Sequence, residues 1–236
     1  MSNTRHAVND QLLKIVIEQL KFPLLNIARQ AELAQTIQGA DYKNINSVAD
    51  MALKIIDSYL MSIEGSGQAI LELEPVSLSS ILNDVADSLS DIAKIYNCTV
   101  ELKLDGKFVP VMGAKTKLEA AFTMLGYSYI EASAANTEDS KLGTILLSGY
   151  KTARGLTAGV FSPSIELTSR SFNRALKSFG HARQSLPEIS QATAVGIFIA
   201  DGLLDSFAAR LRVAHHRNLS GLATTLIPSK QLQLLS

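Results

Sequence analysis

Few side chains in this sequence of 236 residues are grouped as chemistry would need them. His215 and His216 are adjacent at a strand end beside a turn, and no Cys, Asp or Glu stands near them at metal-ligand spacing. A solvated turn is expected there, and no metal site. Cys98 is the sole cysteine, which excludes an internal disulfide or a cysteine-rich zinc site, fits a reducing cytosol, and reads as a small core residue. The stretch that raises a question is IEQLKFPLLNIARQAELA, residues 17–34. It is amphipathic at helical spacing, yet it carries Pro23 in its middle and Glu18 five residues earlier. A proline inside a helix removes one backbone donor and bends the chain, so its presence needs a reason.

The rest of the composition narrows the setting. Apolar residues make up 47% and charged residues 19%, which marks a globular chain with a sizeable core. Lys plus Arg equals Asp plus Glu at 22 each, so there is no general attraction to nucleic acid or anionic membrane. The first twenty residues lack a basic stretch followed by an apolar one, and no apolar run is long enough to span a bilayer. The expectation is a soluble, cytoplasmic protein without membrane insertion.

Elements follow from the periodicities. Leu13, Val16, Leu20, Leu24, Ile27, Ala31 and Ala34 recur at spacings of three and four, as do Ile45, Val48, Ala52, Ile55, Tyr59 and Ile63. These predict two long helices, separated at Gly39 and Asp41, which suit a C-cap and an N-cap. Such a hairpin is about 35–45 Å long at 1.5 Å per residue. Its continuous stripes predict a dimeric four-helix bundle; the alternative is that the hairpin packs on the rest of its own chain. Beyond Gly65-Ser66-Gly67, the pattern predicts a strand over 70–74, a helix over 77–96 and a strand over 99–104. A helix over 115–135 and strands over 144–150 and 156–161 come next. An irregular segment precedes a helix over 190–208, and strands over 211–215 and 222–227 close a hairpin around 218–221. The fold class is α+β: a helical hairpin domain (1–67), then an α/β sandwich (68–236) with one mixed sheet and helices on one face.

Over nearly its whole length the chain resembles the catalytic half of a bacterial sensor histidine kinase. That family has a helical dimerisation and phosphoacceptor hairpin, followed by an ATPase domain of the GHKL type shared with gyrase and the heat-shock chaperones. Its first helix carries a phosphoacceptor His followed by Glu-Leu-Arg-Thr-Pro-Leu; here the frame is filled by Glu18-Gln19-Leu20-Lys21-Phe22-Pro23-Leu24. Leucine, basic residue, proline and leucine fall in register, so the resemblance implies that Pro23 is inherited. The histidine is replaced by Glu18, whose carboxylate could form only a labile acyl phosphate. Glu18 reads either as a solvated residue or as a fixed charge imitating a phosphorylated acceptor.

The nucleotide positions are altered as well. Where the family has two asparagines and a lysine on its first nucleotide helix, this chain has Met124, Ser128 and Glu131. Asp-x-Gly-x-Gly, whose aspartate binds the adenine amino group, corresponds to Val160, Ser162 and Ser164; of the later Gly-x-Gly-x-Gly turn only Gly196 remains. Two or three buried charge-assisted hydrogen bonds are thereby missing, each worth about 1.5–3 kcal/mol. Together they amount to roughly 3–9 kcal/mol, or ~10²- to 10⁶-fold in affinity. Magnesium also loses its side-chain anchor, and Glu131 would repel phosphates.

The resemblance thus implies a pseudokinase without cofactor, metal or catalytic residue. It implies a homodimeric regulatory or scaffold module of two-component signalling, binding a response-regulator receiver domain or a partner histidine kinase through Glu18, Gln19, Leu20, Phe22, Pro23 and Ile27. The alternatives are a phosphotransferase or phosphatase, against which Phe22 at the phosphatase position speaks, and a small-molecule sensor using the remodelled pocket. Residues 178–190 stand where the family has its lid over ATP.

Overall fold

The computed structural model describes residues 13, 15–16, 19–27, 29–30, 42–64, 73–135, 143–163, 167–178 and 191–229. Glu18, Gly39, Asp41, Ser164 and most of the lid-like segment lie outside the described residues. The described residues between 13 and 30 are all helical, on both sides of Pro23, and constitute α1. The chain continues with α2 (Tyr42–Glu64), β1 (Glu74–Val76), α3 (Leu78–Ile95), β2 (Cys98–Asp105), β3 (Val111–Gly113) and α4 (Lys115–Ala135). It ends with β4 (Gly143–Thr152), β5 (Gly155–Ser162), α5 (Ser169–Ser178), α6 (Gln191–Asp205), β6 (Arg212–His216) and β7 (Leu219–Leu226).

Local chemistry explains most of these limits. Ser77 caps α3 by accepting a hydrogen bond from the Ser80 amide at 3.3 Å. Its predicted face of Ile81, Val85, Leu89 and Ile92 is buried. α4 has no polar side to offer, because every residue from Ala121 to Ser133 is buried. It lies between the sheet and α2, flanked by α3 and α6; a helix apolar all round belongs in such a place.

The main sheet has the order β2-β4-β5-β7-β6, parallel between β2 and β4 and antiparallel elsewhere. Its strands alternate between two apolar faces. Ile145, Leu147, Ala158, Val160 and Leu222 point to the helices, while Leu146, Phe161 and Ala223 form a smaller cluster on the other side. The second cluster is covered by the β6–β7 tip: His216 stacks on Tyr150 with ring centroids 4.3 Å apart, and Arg217 bonds both Asp105 oxygens at 2.8 and 3.1 Å. β2 and β6 are opposite edges of the sheet, so this contact requires the sheet to curl strongly. His216 is therefore half-buried against aromatic rings rather than solvated, and only His215 is exposed.

Four expectations are corrected. Of the strand read over 70–74, residues 70–72 lie outside the described residues and Leu73 is not in a strand; the strand found here is Glu74–Val76, a short edge paired with β3. The segment read as irregular contains α5, whose first turn is capped by Thr168 accepting from the Ser171 amide at 3.1 Å. The closing turn is Arg217–Asn218, with φ of 50° and 62°, as a two-residue type I′ hairpin requires. Finally, the α2 stripe expected to pair across a dimer is covered by the chain itself: Val48, Ala52, Ile55 and Tyr59 are buried where α2 packs on α3, α4 and α6. One continuous core runs from the hairpin through α4 to the sheet.

Candidate functional site

Met124, Ser128 and Glu131 recur on α4 at spacings of four and three, so they share one helical face. Against this face lies α6, and the contact is made at Gly196. A β-carbon added there would stand 2.3 Å from Ser128 Oγ and 2.7 Å from the Met124 carbonyl oxygen. The glycine thus lets two helices touch; it sits inside a helix, not in a phosphate-binding turn. The Ser128 hydroxyl, turned into this contact, has no partner among the described residues. Val160 is fully buried in β5 between Leu147 and Leu222, and Ser162 is buried at the strand end opposite Ser220. None of these positions lies open to solvent.

Glu131 departs most from expectation. Rather than facing an open phosphate pocket, it is only 7% exposed and points toward the hairpin, where Gln19 Nε2 donates to its Oε2 at 2.7 Å. The Tyr127 hydroxyl is hydrogen-bonded to the same carboxyl. Burial pushes the Glu131 carboxyl up to about 7, the two hydrogen bonds opposing this only in part. The network extends outward. Tyr127 OH lies 3.3 Å from Tyr96 OH with the two rings edge-to-face, and Phe22 of α1 stacks on Tyr96 at 6.5 Å. Burial holds Tyr96 up at about 12 and Tyr127 well above the usual phenol range, so both stay neutral.

This junction redistributes the residues expected to form a partner face. Gln19 and Pro23 are buried, Leu20 and Ile27 are half-buried against the core, and Phe22 is 52% exposed beside Tyr96. Leu13, Lys21, Leu24, Leu25 and Arg29 of α1 also face solvent. Sequence reasoning missed Tyr96 and the inward role of Glu131. The available signal was a tyrosine and a glutamate four residues apart in an otherwise apolar helix.

Elsewhere, a cleft of about 500 Å³ between α2, α3 and α4 is lined by Lys54, Asp57, Asp84, Lys115 and Glu119. Its charges largely answer one another, Lys115 lying 3.7 Å from Asp84 and 3.4 Å from Glu119. Among the described residues no group of three His, Cys, Asp or Glu is placed to hold a metal ion, and no helix is long and apolar enough to cross a membrane.

No protein-family profile and no curated protein sequence matches this chain. Solved structures do. A histidine kinase ThkA in complex with the response regulator protein TrrA aligns over 95% of this chain and 63% of its own, with a TM-score of 0.58 and 13% identity. The Acinetobacter baumannii histidine kinase AdeS aligns over 89% of this chain and 98% of its own, with a TM-score of 0.54 and 11% identity. The ThkA catalytic domain alone aligns over 67% and 96%, with a TM-score of 0.52 and 14% identity. At such identities the likeness shows a fold: this chain has the α+β architecture of histidine kinase catalytic domains.

Proposed function

We propose that this protein is a histidine-kinase-like module that does not transfer phosphate and acts as a regulatory scaffold for a response-regulator receiver domain or a partner kinase. The observation that carries the reading is the burial of the nucleotide-type positions. Met124, Ser128 and Val160 are at most 1% exposed, and Gly196 joins α6 directly to α4. A phosphate chain needs glycine-rich backbone and a magnesium anchor here, and the residues present offer neither. Glu18 in place of a phosphoacceptor histidine supports the same reading, as does the likeness to a kinase whose structure holds a response regulator. A small-molecule sensor at these positions is the weaker reading, because their side chains are spent on packing.

The fold also suggests a homodimer. Leu53 and Leu60, seven residues apart on one face of α2, are 58% and 44% exposed, and Leu24 and Leu25 of α1 are 55% and 66% exposed. A second hairpin would cover them.

The testing experiment is a calorimetric titration with magnesium-ATP, then with receiver domains. No heat up to millimolar nucleotide, together with nucleotide-independent receiver binding weakened by Phe22→Glu, is the expected result. Micromolar ATP binding would overturn it.

A further inference from the structure

Gln19 and Glu131 are 112 residues apart in sequence and form a buried side-chain bond between α1 and α4. Two features of this bond are unusual. No cation answers the carboxyl: none of the ion pairs among the described residues includes Glu131. In addition, Gln19 Oε1 is buried and has no partner among the described residues.

These features distinguish the two protonation states. An ionised Glu131 offers only acceptors, so it takes one bond from Gln19 Nε2 and leaves Oε1 orphaned beside a buried charge. A neutral Glu131 carries a donor. Its O–H donates to Gln19 Oε1 while Nε2 donates to the other carboxyl oxygen, closing a cyclic amide–acid pair in which every atom is satisfied. Among the described residues the neighbours offer no counter-charge. Tyr127 on α4 and Tyr96 after α3 are neutral, and Lys94 at the end of α3 is exposed. Lys21 and Arg29 of α1 are exposed, and the acids of α6, Asp201 and Asp205, lie more than a turn beyond the Gly196 crossing.

We infer that the Gln19–Glu131 pair is a proton-operated latch. With Glu131 neutral, α1 is docked on the ATPase-type lobe, with Gln19 against Glu131 and one side of Phe22 against Tyr96; with Glu131 ionised, the docking weakens and the Gln19–Phe22 face becomes available to a partner protein. The second half rests on the scaffold reading above; the first half does not. It regulates the proposed partner face by pH, without nucleotide.

Linkage sets the size of the effect. A freely solvated carboxyl ionises near 4.5 and Glu131 in the docked state near 7. The docking constant therefore falls by at most about tenfold per pH unit across that window, with an upper limit of roughly 300-fold in all, and is flat above it. The test is hydrogen exchange of the full chain from pH 4.5 to 8, corrected for intrinsic rates, reading amides 19–27. The expected result is a fall in protection of tenfold or more with rising pH, abolished in Glu131→Gln, which keeps α1 protected throughout. Gln19→Ala is a second test: its protection at acid pH drops toward the alkaline wild-type level. A flat wild-type profile, or a fall that persists in Glu131→Gln, overturns the latch. No partner is present in this experiment, so that failure leaves the scaffold reading untouched. Receiver domains that fail to bind at pH 8 would remove the scaffold reading and leave the latch.

Discussion

A carboxyl buried beside an amide and a phenol, with no cation paired to it among the described residues, disfavours its own charge. For Glu131 this ties global stability to pH as well as local docking. Its value in the folded chain, about 7, lies above the ordinary 4.5, so its stabilising contribution is complete below pH 4.5 and is lost as pH rises toward 7. The loss amounts to about 3 kcal/mol. Urea denaturation at pH 4 and pH 8 should show wild type losing that much more stability than Glu131→Gln. At this scale the sequence was informative about identity and silent about direction. Met124, Ser128, Val160 and Gly196 were recognisable as replacements, and burial could be expected of the apolar ones. That Glu131 turns toward α1 could not be read, because its partner is one glutamine among many polar residues 112 positions away. The placement of His216 escaped for the same reason: stacking on Tyr150 depends on a fold in the sheet rather than on neighbours in sequence.

Among elements, periodicity and caps were decisive wherever a helix was long. α4 runs from Lys115 to Ala135 and α3 begins after Ser77, both as their patterns predict. Short elements failed. β1 has three residues, too few to display a period, and α5 hides its apolar side among polar residues, at Phe172 and Ala175. The α4–α6 crossing offers a direct check. Gly196→Ala places a methyl group 2.7 Å from the Met124 carbonyl oxygen, a backbone atom with little freedom to yield. Thermal denaturation should show a loss of about 1–3 kcal/mol. The β6–β7 turn points the other way. Asn218 sits at φ 62°, where glycine is free of strain and Asn-Gly-like pairs are favoured. Asn218→Gly should gain up to about 1 kcal/mol in the same assay, with Arg217 kept as the clamp on Asp105.

For the molecule as a whole, the mixed sheet with helices on one face was legible from element order, but the layer formed by the hairpin was not. Both stripes of the hairpin are apolar, and sequence cannot say which one meets the lobe and which one stays exposed. The buried set on α2 includes Val48, Met51 and Ile55, and the exposed set includes Leu53 and Leu60. Because the exposed leucines lie outside the core, Leu53→Glu combined with Leu60→Glu should leave the melting profile intact. Sedimentation equilibrium should show dimer giving way to monomer, with association weakened about tenfold or more per substitution. Retention of the dimer would locate its interface elsewhere.

The long reach of the Gln19–Glu131 contact also matters during synthesis. α1 leaves the ribosome before α4, and the side chain that receives its buried amide is made 112 residues later. At about 5–20 residues per second, the nascent helix waits roughly 6–22 s with its apolar face uncovered. During that interval a chaperone, or the α1 of a neighbouring nascent chain, is the available cover. Pairing between chains on one polysome would then begin before either chain has built its lobe.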